Sequence, residues 1–180
     1  MLAFARAIDA LNERLGRLLA WVLPLMMVLT VAVVVLRYAF GIGANVLQDS
    51  VIYLHAALFM LGAAYTLKHN AHVRVDILYN RWPAKRRALV DIAGTLLFLL
   101  PVAGFIAVMS WDYVLASWRI GETSADGGLP FVYLLKTLLL AMPALLVLQG
   151  LAELARNLAF LSGRHPELHP EPQHHEAGEL

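Results

Sequence analysis

Four apolar stretches dominate the pattern of hydrophobic and polar positions along the chain. They cover residues 18–36, 46–67, 88–109 and 131–151, and each is long enough to cross a bilayer as a helix of about 20 residues. A helix on a water-soluble core keeps one polar face, whereas the first stretch has no charge and only Thr30 as a polar side chain. Lipid offers no hydrogen bonds, so each span must satisfy its own backbone as a helix. The pattern predicts an all-α integral membrane protein with four transmembrane helices.

Composition leaves little room for anything else. Of 180 residues, 60% are hydrophobic, and the mean hydropathy is +0.66. The four-helix membrane domain is expected over residues 18–157, with short connections and two tails, so no separate soluble domain fits. The chain has no cysteine, which excludes disulfides and thiolate metal sites. No motif for phosphate binding, nucleophilic catalysis or dinucleotides is present, so we expect neither an enzyme nor a bound cofactor.

The basic residues are distributed unevenly between the two sides of the predicted spans. Of the fourteen Lys and Arg, eleven lie in the N-terminal segment, the connection between the second and third spans, and the C-terminal tail. The opposite loops hold Arg37 and Arg119. Basic loops resist translocation, so both termini should face the cytoplasm. Because topology explains these charges and the net charge is only +1, a nucleic-acid partner is not expected. The first span is expected to be an uncleaved anchor, since its apolar run exceeds that of a secretory signal.

Two terminal segments complete the expected domain organisation. In residues 1–17 and just beyond, apolar side chains recur at helical spacing, namely Phe4, Ile8, Leu11, Leu15 and Leu18. This predicts an amphipathic helix on the cytoplasmic surface that continues into the first span. The tail, residues 158–180, is rich in proline and acids and is expected to be disordered. We assign no metal to its histidines, because no fixed geometry holds them together.

The cytoplasmic connection, residues 72–87, mixes apolar and charged residues. Its Tyr79 and Trp82 suit the interfacial zone, and Pro83 suits the start of the third helix. Such a segment would lie flat against membrane lipids, with Lys85, Arg86 and Arg87 beside anionic head groups. A solvated loop with no special role is the alternative.

Lys136 is the sharpest polar feature inside a span. It lies roughly 9 Å into the fourth helix at 1.5 Å per residue, if that helix starts after Pro130. Charge at this depth is expensive, so its ammonium either reaches outward to the head groups or pairs with an acceptor. Candidate partners on the same side are Asp112, Glu122 and Asp126.

Two further polar residues of the second span are candidates for a specific role. Asp49 is near its outer end, where the first turn of a helix favours a carboxylate. His55 lies nearer the middle of the membrane, where it suits a ligand, a proton carrier or a hydrogen-bonded packing residue. A lone histidine favours packing.

The sequence resembles a known transporter family at the second span and the connection after it. The matching strings are Leu47-Gln48-Asp49, Leu58 through Leu67, and His72-Val73-Arg74-Val75-Asp76-Ile77-Leu78-Tyr79. They are similar to the small membrane subunit of tripartite ATP-independent periplasmic (TRAP) transporters. Gly127-Gly128-Leu129-Pro130 with Lys136, and Leu148 through Glu153, resemble the mannitol or chloroaromatic branch. The similarity spans about residues 15–157.

The resemblance implies a three-part importer in the bacterial inner membrane. A periplasmic binding protein captures an organic acid or related solute, and a large elevator-type membrane subunit carries it across with a sodium gradient. The small subunit enlarges the stationary scaffold and offers part of the surface on which the binding protein docks. We hypothesise that Arg74 and Asp76 fix the interfacial connection by pairing locally or with the partner subunit. Asp49, His55, Trp82 and Lys136 are further candidates for subunit contacts or membrane anchoring.

The sequence departs from the family pattern at two positions. Gln48 precedes Asp49 where many members carry a pair of acids, and His55 stands where an aromatic or apolar residue is expected.

The sequence is also compatible with two other function classes. A haem-bearing anchor of a respiratory oxidoreductase requires axial histidines on facing helices, and only His55 qualifies. A self-sufficient transporter or channel is the third class, although no inverted repeat supports it.

Overall fold

Helices and the loops that join them make up the part of the chain that the structure, a computed structural model, describes: residues 2–71, 79, 82–125 and 127–163. The helices are α1 (Leu2–Ala20), α2 (Val22–Phe40), α3 (Asn45–Lys68), α4 (Ala84–Gly94), α5 (Leu100–Ile120) and α6 (Val132–Leu161), with a π-helical segment (Thr95–Leu99) between α4 and α5. Four helical runs are long and apolar enough to cross a bilayer: α1 with α2, α3, α4 through α5, and α6. The predicted all-α membrane class is therefore confirmed.

Charged residues bound an uncharged interval in each helical run. The intervals without Asp, Glu, Lys or Arg lie between Arg17 and Arg37, Asp49 and Lys68, Asp91 and Asp112, and Lys136 and Glu153. Each interval is about 25–32 Å long at the helical rise, close to the roughly 30 Å of the hydrocarbon core. The run from α4 through α5 has 37 residues, so its ends project beyond that layer.

Prolines account for the two irregular points in the helical runs. Pro24 lacks the N–H that would bond to the carbonyl of Ala20, and the helix breaks at Trp21, between α1 and α2. Ahead of Pro101 the chain widens into the π-helical segment, where the Leu100 N–H donates to the Thr95 carbonyl five residues earlier. This wider turn keeps a backbone group paired near a residue that cannot donate. Pro143 lies inside α6 without ending it.

An amphipathic helix is present as α1, and its packing face is offset from the predicted apolar stripe but shares Ile8 with it. Its buried residues are Ala5, Ile8, Asn12 and Leu19, whereas Phe4, Leu11 and Leu18 of the apolar stripe are exposed. The packing face therefore includes the Asn12 amide, while most of the apolar stripe lies outside the bundle. Apolar side chains can stay exposed in this way because a membrane helix need not hide them from lipid.

Helix α6 is the centre of the bundle and contacts α1, α3, α4 and α5. Small residues permit these contacts, because Ala64, Ala103 and Ala152 are all buried. Gly16 of α1 lies directly against the ring of Tyr65, where an added Cβ would be 2.2 Å from Cδ2. Helix α2 packs on α3 and α1 and has no buried residue.

The observed boundaries extend or leave open several predicted ones. Pro83 lies immediately before α4 and accepts hydrogen bonds from the first turn. Helix α6 continues to Leu161, past the predicted start of the tail at residue 158. Most of the interfacial connection, residues 72–78, 80 and 81, lies outside the described residues, as do residues 164–180.

Candidate functional site: two polar layers and the surface between them

A network of polar side chains joins α1 to the C-terminal half of α6 at one end of the bundle. Asn12, which is 1% exposed, donates from Nδ2 to Gln149 Oε1 at 2.7 Å. Gln149 is fully buried and donates from Nε2 to Asp9 Oδ1 at 3.2 Å. Arg156 Nη1 donates to Asp9 Oδ2 at 2.6 Å. These contacts join residues about 140 positions apart in the sequence, and we call them, with the Glu13 contacts below, the terminal layer.

A second set of contacts ties α1 to the end of α3. Glu13 Oε2 lies 2.6 Å from Lys68 Nζ and 3.0 Å from His69 Nε2. His69 also contacts the ring of Tyr65 with centroids 4.4 Å apart, next to the close approach at Gly16. Helix α1 is therefore held by charge-assisted contacts to two different spans, rather than by apolar packing alone.

Sequence reasoning did not single out the residues of the terminal layer. Asp9, Asn12 and Gln149 are ordinary polar residues in the sequence, and nothing local indicates that they meet. The available signal was the position of Asn12, one residue away from Leu11 of the apolar stripe and in register with Ala5 and Ile8. That register places an amide on the face that packs inward.

At the opposite end of the bundle, Lys136 pairs with Glu122. Of the two interpretations of this lysine, the structure therefore supports pairing with an acceptor rather than reaching outward to the head groups. Its Nζ donates to Glu122 Oε2 and lies 4.0 Å from the centre of the Tyr113 ring. Of the other candidate partners, Asp112 is exposed on α5, and Asp126 lies outside the described residues. The pair lowers the pKa of the Glu122 carboxyl below its ordinary value of 4.5, because the neighbouring ammonium donates to its charged form.

Asp49 clamps the loop between α5 and α6 onto α3. Its Oδ2 accepts a hydrogen bond from the Leu129 backbone N–H at 3.1 Å. Gly128 lies so close that an added Cβ would be 1.8 Å from the same oxygen. Asp49 is in the second turn of α3, which begins at Asn45, so it serves as an acceptor for a loop rather than as a first-turn carboxylate. We call the Asp49 and Lys136 contacts the loop layer.

The remaining predicted site residues lie apart from these two layers. His55 is exposed on α3 and makes no hydrogen bond with the described part of the chain, so it does not pack inside the subunit. Trp82 is partly exposed just before α4. Arg74 and Asp76 lie outside the described residues. The structure thus brings Lys136 and Asp49 to one end and separates them from His55 and Trp82.

Two apolar grooves open on the sides of the bundle. The larger, about 680 Å³, runs along α4 and α5 from Trp82 to Ile106, and Leu146 of α6 forms part of its wall. The smaller, about 510 Å³, lies between α1 and α3 beside Gly16 and Gly62. Arg87, which was expected beside lipid head groups, is buried in the protein: it is 5% exposed, and its guanidinium lies 6.0 Å from the centre of the Tyr79 ring.

The terminal layer and the loop layer each join elements that are distant in sequence. Among the described residues, no three His, Asp or Glu side chains gather closely enough to hold a metal ion.

The amide pair in the terminal layer can be tested by a double-mutant cycle. Gln149→Leu leaves the buried Nδ2 of Asn12 without its acceptor, so we expect a loss of about 1–3 kcal/mol in unfolding free energy. Adding Asn12→Leu should restore part of the loss, because both polar groups are then removed. Thermal unfolding in detergent measures each variant, and strictly additive losses would show that the two amides do not interact.

The Lys136 pair makes a pH-dependent prediction. Because the pKa of Glu122 is lowered in the folded state, the pair stabilises the protein above pH 4.5 and loses this effect as the pH falls through the folded-state pKa. The difference in Tm between wild type and Lys136→Met should therefore narrow on acidification from pH 6 to below 4.5. Lys136→Arg is the control that keeps a cation. A difference that stays constant with pH would contradict the pairing.

Comparison with known proteins gives a consistent result. The family described as "Tripartite ATP-independent periplasmic transporters, DctQ component" matches residues 26–160. The chain is 31% identical over 99 residues to the C4-dicarboxylate TRAP transporter small permease protein DctQ of Vibrio cholerae, covering 53% of this chain and 41% of that protein. It is 33% identical over 99 residues to the protein of the same description from Rhodobacter capsulatus, covering 52% and 42%.

These alignments cover a little under half the length of the two relatives. No solved structure matches the chain. The family match includes α3, α5, nearly all of α6 and most of α2, together with the loop layer and Gln149. On this match the chain belongs to the DctQ family of TRAP transporter small permease subunits.

Proposed function

We propose that the chain is the small permease subunit of a sodium-driven importer of an organic acid or related solute. A periplasmic binding protein delivers the solute, and a large elevator-type membrane subunit carries it across. The small subunit enlarges the stationary scaffold of that large subunit. Membership of the DctQ family supports the role of small permease subunit. We propose the substrate, the coupling ion and the partners, because the relatives named above are matched over less than half of their length.

The observation that carries the scaffold role is the double attachment of α1. An elevator domain slides through the membrane, so the stationary part must resist being dragged or tilted. Helix α1 is joined to α6 through Asp9 and Arg156 and to α3 through Glu13 and Lys68. The exposed apolar side chains of α1 then contact lipid and anchor the bundle, because α1 can move only together with the bundle.

The proposed orientation puts the terminal layer in the cytoplasm and the loop layer in the periplasm of an inner membrane. The excess of Lys and Arg on the side of both termini supports this assignment. The loop between α5 and α6, which Asp49 and Glu122 hold in place, is then the part of the subunit available to the binding protein. Arg74 and Asp76 are proposed to anchor the connection on the cytoplasmic side.

The substrate branch is also a proposal. The two relatives named above are C4-dicarboxylate transporter subunits. The strings Gly127 through Pro130 and Leu148 through Glu153 favour the branch for mannitol or chloroaromatic compounds. In either case the solute site belongs to the large subunit, which makes substrate identity a property of the assembled complex.

A haem-bearing respiratory anchor is the alternative class. Axial ligation requires imidazoles on facing helices. In the described part of the chain, His55 and His69 lie in and directly after the same helix, and His69 is engaged by Glu13. The geometry therefore favours the transporter subunit.

Purification from native membranes in mild detergent tests the proposal. We expect a polytopic membrane protein of roughly a dozen helices to accompany the tagged chain. The complex in liposomes should take up its solute only with the binding protein and an inward sodium gradient. The exchange variant Arg74→Asp with Asp76→Arg should lower the recovery of the complex or its uptake.

Co-purification of a flavin or iron–sulfur subunit would instead favour the respiratory anchor. Uptake by the chain alone would contradict the scaffold role. Intact assembly with unchanged transport in the exchange variant would remove Arg74 and Asp76 from the proposed anchor.

A further inference from the structure

One face of α3 is only partly covered by the described chain, and its residues recur at regular helical spacing. Its residues are Ile52, His55, Phe59, Gly62 and Thr66, separated alternately by three and four positions. That spacing aligns the side chains of a helix that packs along a second helix. Ile52 is 51% and Phe59 72% exposed, so nothing in the described chain covers the outer part of this face. We call these five residues the α3 seam.

The polar residue in the seam indicates what must cover it. His55 lies about 9 Å along the helix from Asp49, inside the interval without charged residues. Ionisable side chains at such depth are rarely left against lipid and are usually turned toward protein, where they find a hydrogen-bond partner. The described part of this chain supplies none. Hydrocarbon offers no acceptor or donor, so a lipid chain leaves the imidazole unsatisfied.

The inner half of the seam has the shape of a helix-docking site. Beside it lies the groove of about 510 Å³, whose walls include Gly16, Ala20, Gly62 and Ala63. Small residues allow two membrane helices to approach closely. The Thr66 hydroxyl is satisfied by the Gly62 carbonyl at 3.0 Å, so it adds no unpaired group to the groove. A partner helix along the seam thus meets a bulky outer half and a recessed inner half.

We infer that the α3 seam docks one transmembrane helix of the large membrane subunit, and that this helix carries a hydrogen-bonding group at the level of His55. The inference rests on the proposed function for the existence of that subunit, and it adds which face of the chain is used. A helix fits better than lipid because it satisfies the imidazole and fills the notch at Gly62.

Crosslinking tests the position of the contact in the complete complex in its native membrane. The photoreactive residue p-benzoylphenylalanine is placed at Phe59 in the seam or at Phe105, a 64% exposed phenylalanine on α5 that serves as the matched control. We expect an adduct with the large subunit at Phe59, in several-fold higher yield than at Phe105. Adducts only with lipid or with a second copy of the chain at Phe59 would overturn the inference, while leaving the proposed function intact if the large subunit still co-purifies.

Two matched substitutions test the chemistry of the seam. An added Cβ at Gly62 meets only Leu19 Cδ1 at 3.9 Å, and one at Gly104 of α5 meets nothing within 4 Å. Gly62→Leu should therefore leave the subunit folded but prevent recovery of the complex, whereas Gly104→Leu should permit it. His55→Leu should weaken the complex by about three- to tenfold, and His55→Asn should retain more of it.

Equal recovery of the complex for Gly62→Leu and Gly104→Leu would overturn the docking site. If no large membrane subunit co-purifies with the wild-type chain, the proposed function itself is contradicted. If the large subunit does co-purify with the wild-type chain but the seam variants have no effect, only the docking site is contradicted.

Discussion

The hydrogen bonds and the ion pair between α1 and α6 fix how α1 packs on the bundle. Lipid solvates apolar side chains well, so apolar packing alone does little to specify which helix faces meet in a membrane. That specificity comes from polar groups that find partners in only one arrangement. Here Asp9, Asn12, Gln149 and Arg156 supply such partners at one end, and Asp49, Glu122 and Lys136 supply them at the other. Between the two layers, small residues let the helices approach.

The apolar intervals and their helical class could be predicted from the sequence because they depend only on length and composition. The sequence placed the candidate partners of Lys136 on one side of the spans, but it left open whether this lysine pairs at all or reaches outward to the head groups. Which carboxylate it takes could not be predicted, because the choice of Glu122 over Asp112 depends on how the loop folds back. The pairing of Asn12 with Gln149 was still less accessible, since 137 positions separate them and no local pattern records the contact.

The rotation of α1 shows a limit of hydrophobic periodicity in membrane proteins. The stripe through Phe4, Leu11 and Leu18 identifies a helix correctly, yet it does not identify the face that packs inward. In water the apolar face must be buried, whereas next to lipid it can remain outside and the small or polar face can pack. Helix α3 follows the same rule. Its exposed Ile52 and Phe59 are compatible with lipid, whereas the exposed imidazole of His55 finds no hydrogen-bond partner in lipid. Polar residues are therefore the more informative guides to contact in this chain.

Helix α1 is held to the helix bundle by its contacts with α3 and α6, rather than lying free at the membrane surface. The chain has no cysteine, so two introduced at exposed Ala10 and Leu158 can carry spin labels without background labelling. Double electron–electron resonance in lipid nanodiscs then measures the distance between α1 and α6. A single narrow distance distribution is predicted, and it should broaden when Asp9 is replaced by Ala together with Gln149 by Leu. A broad distribution in the otherwise unsubstituted chain would contradict the account.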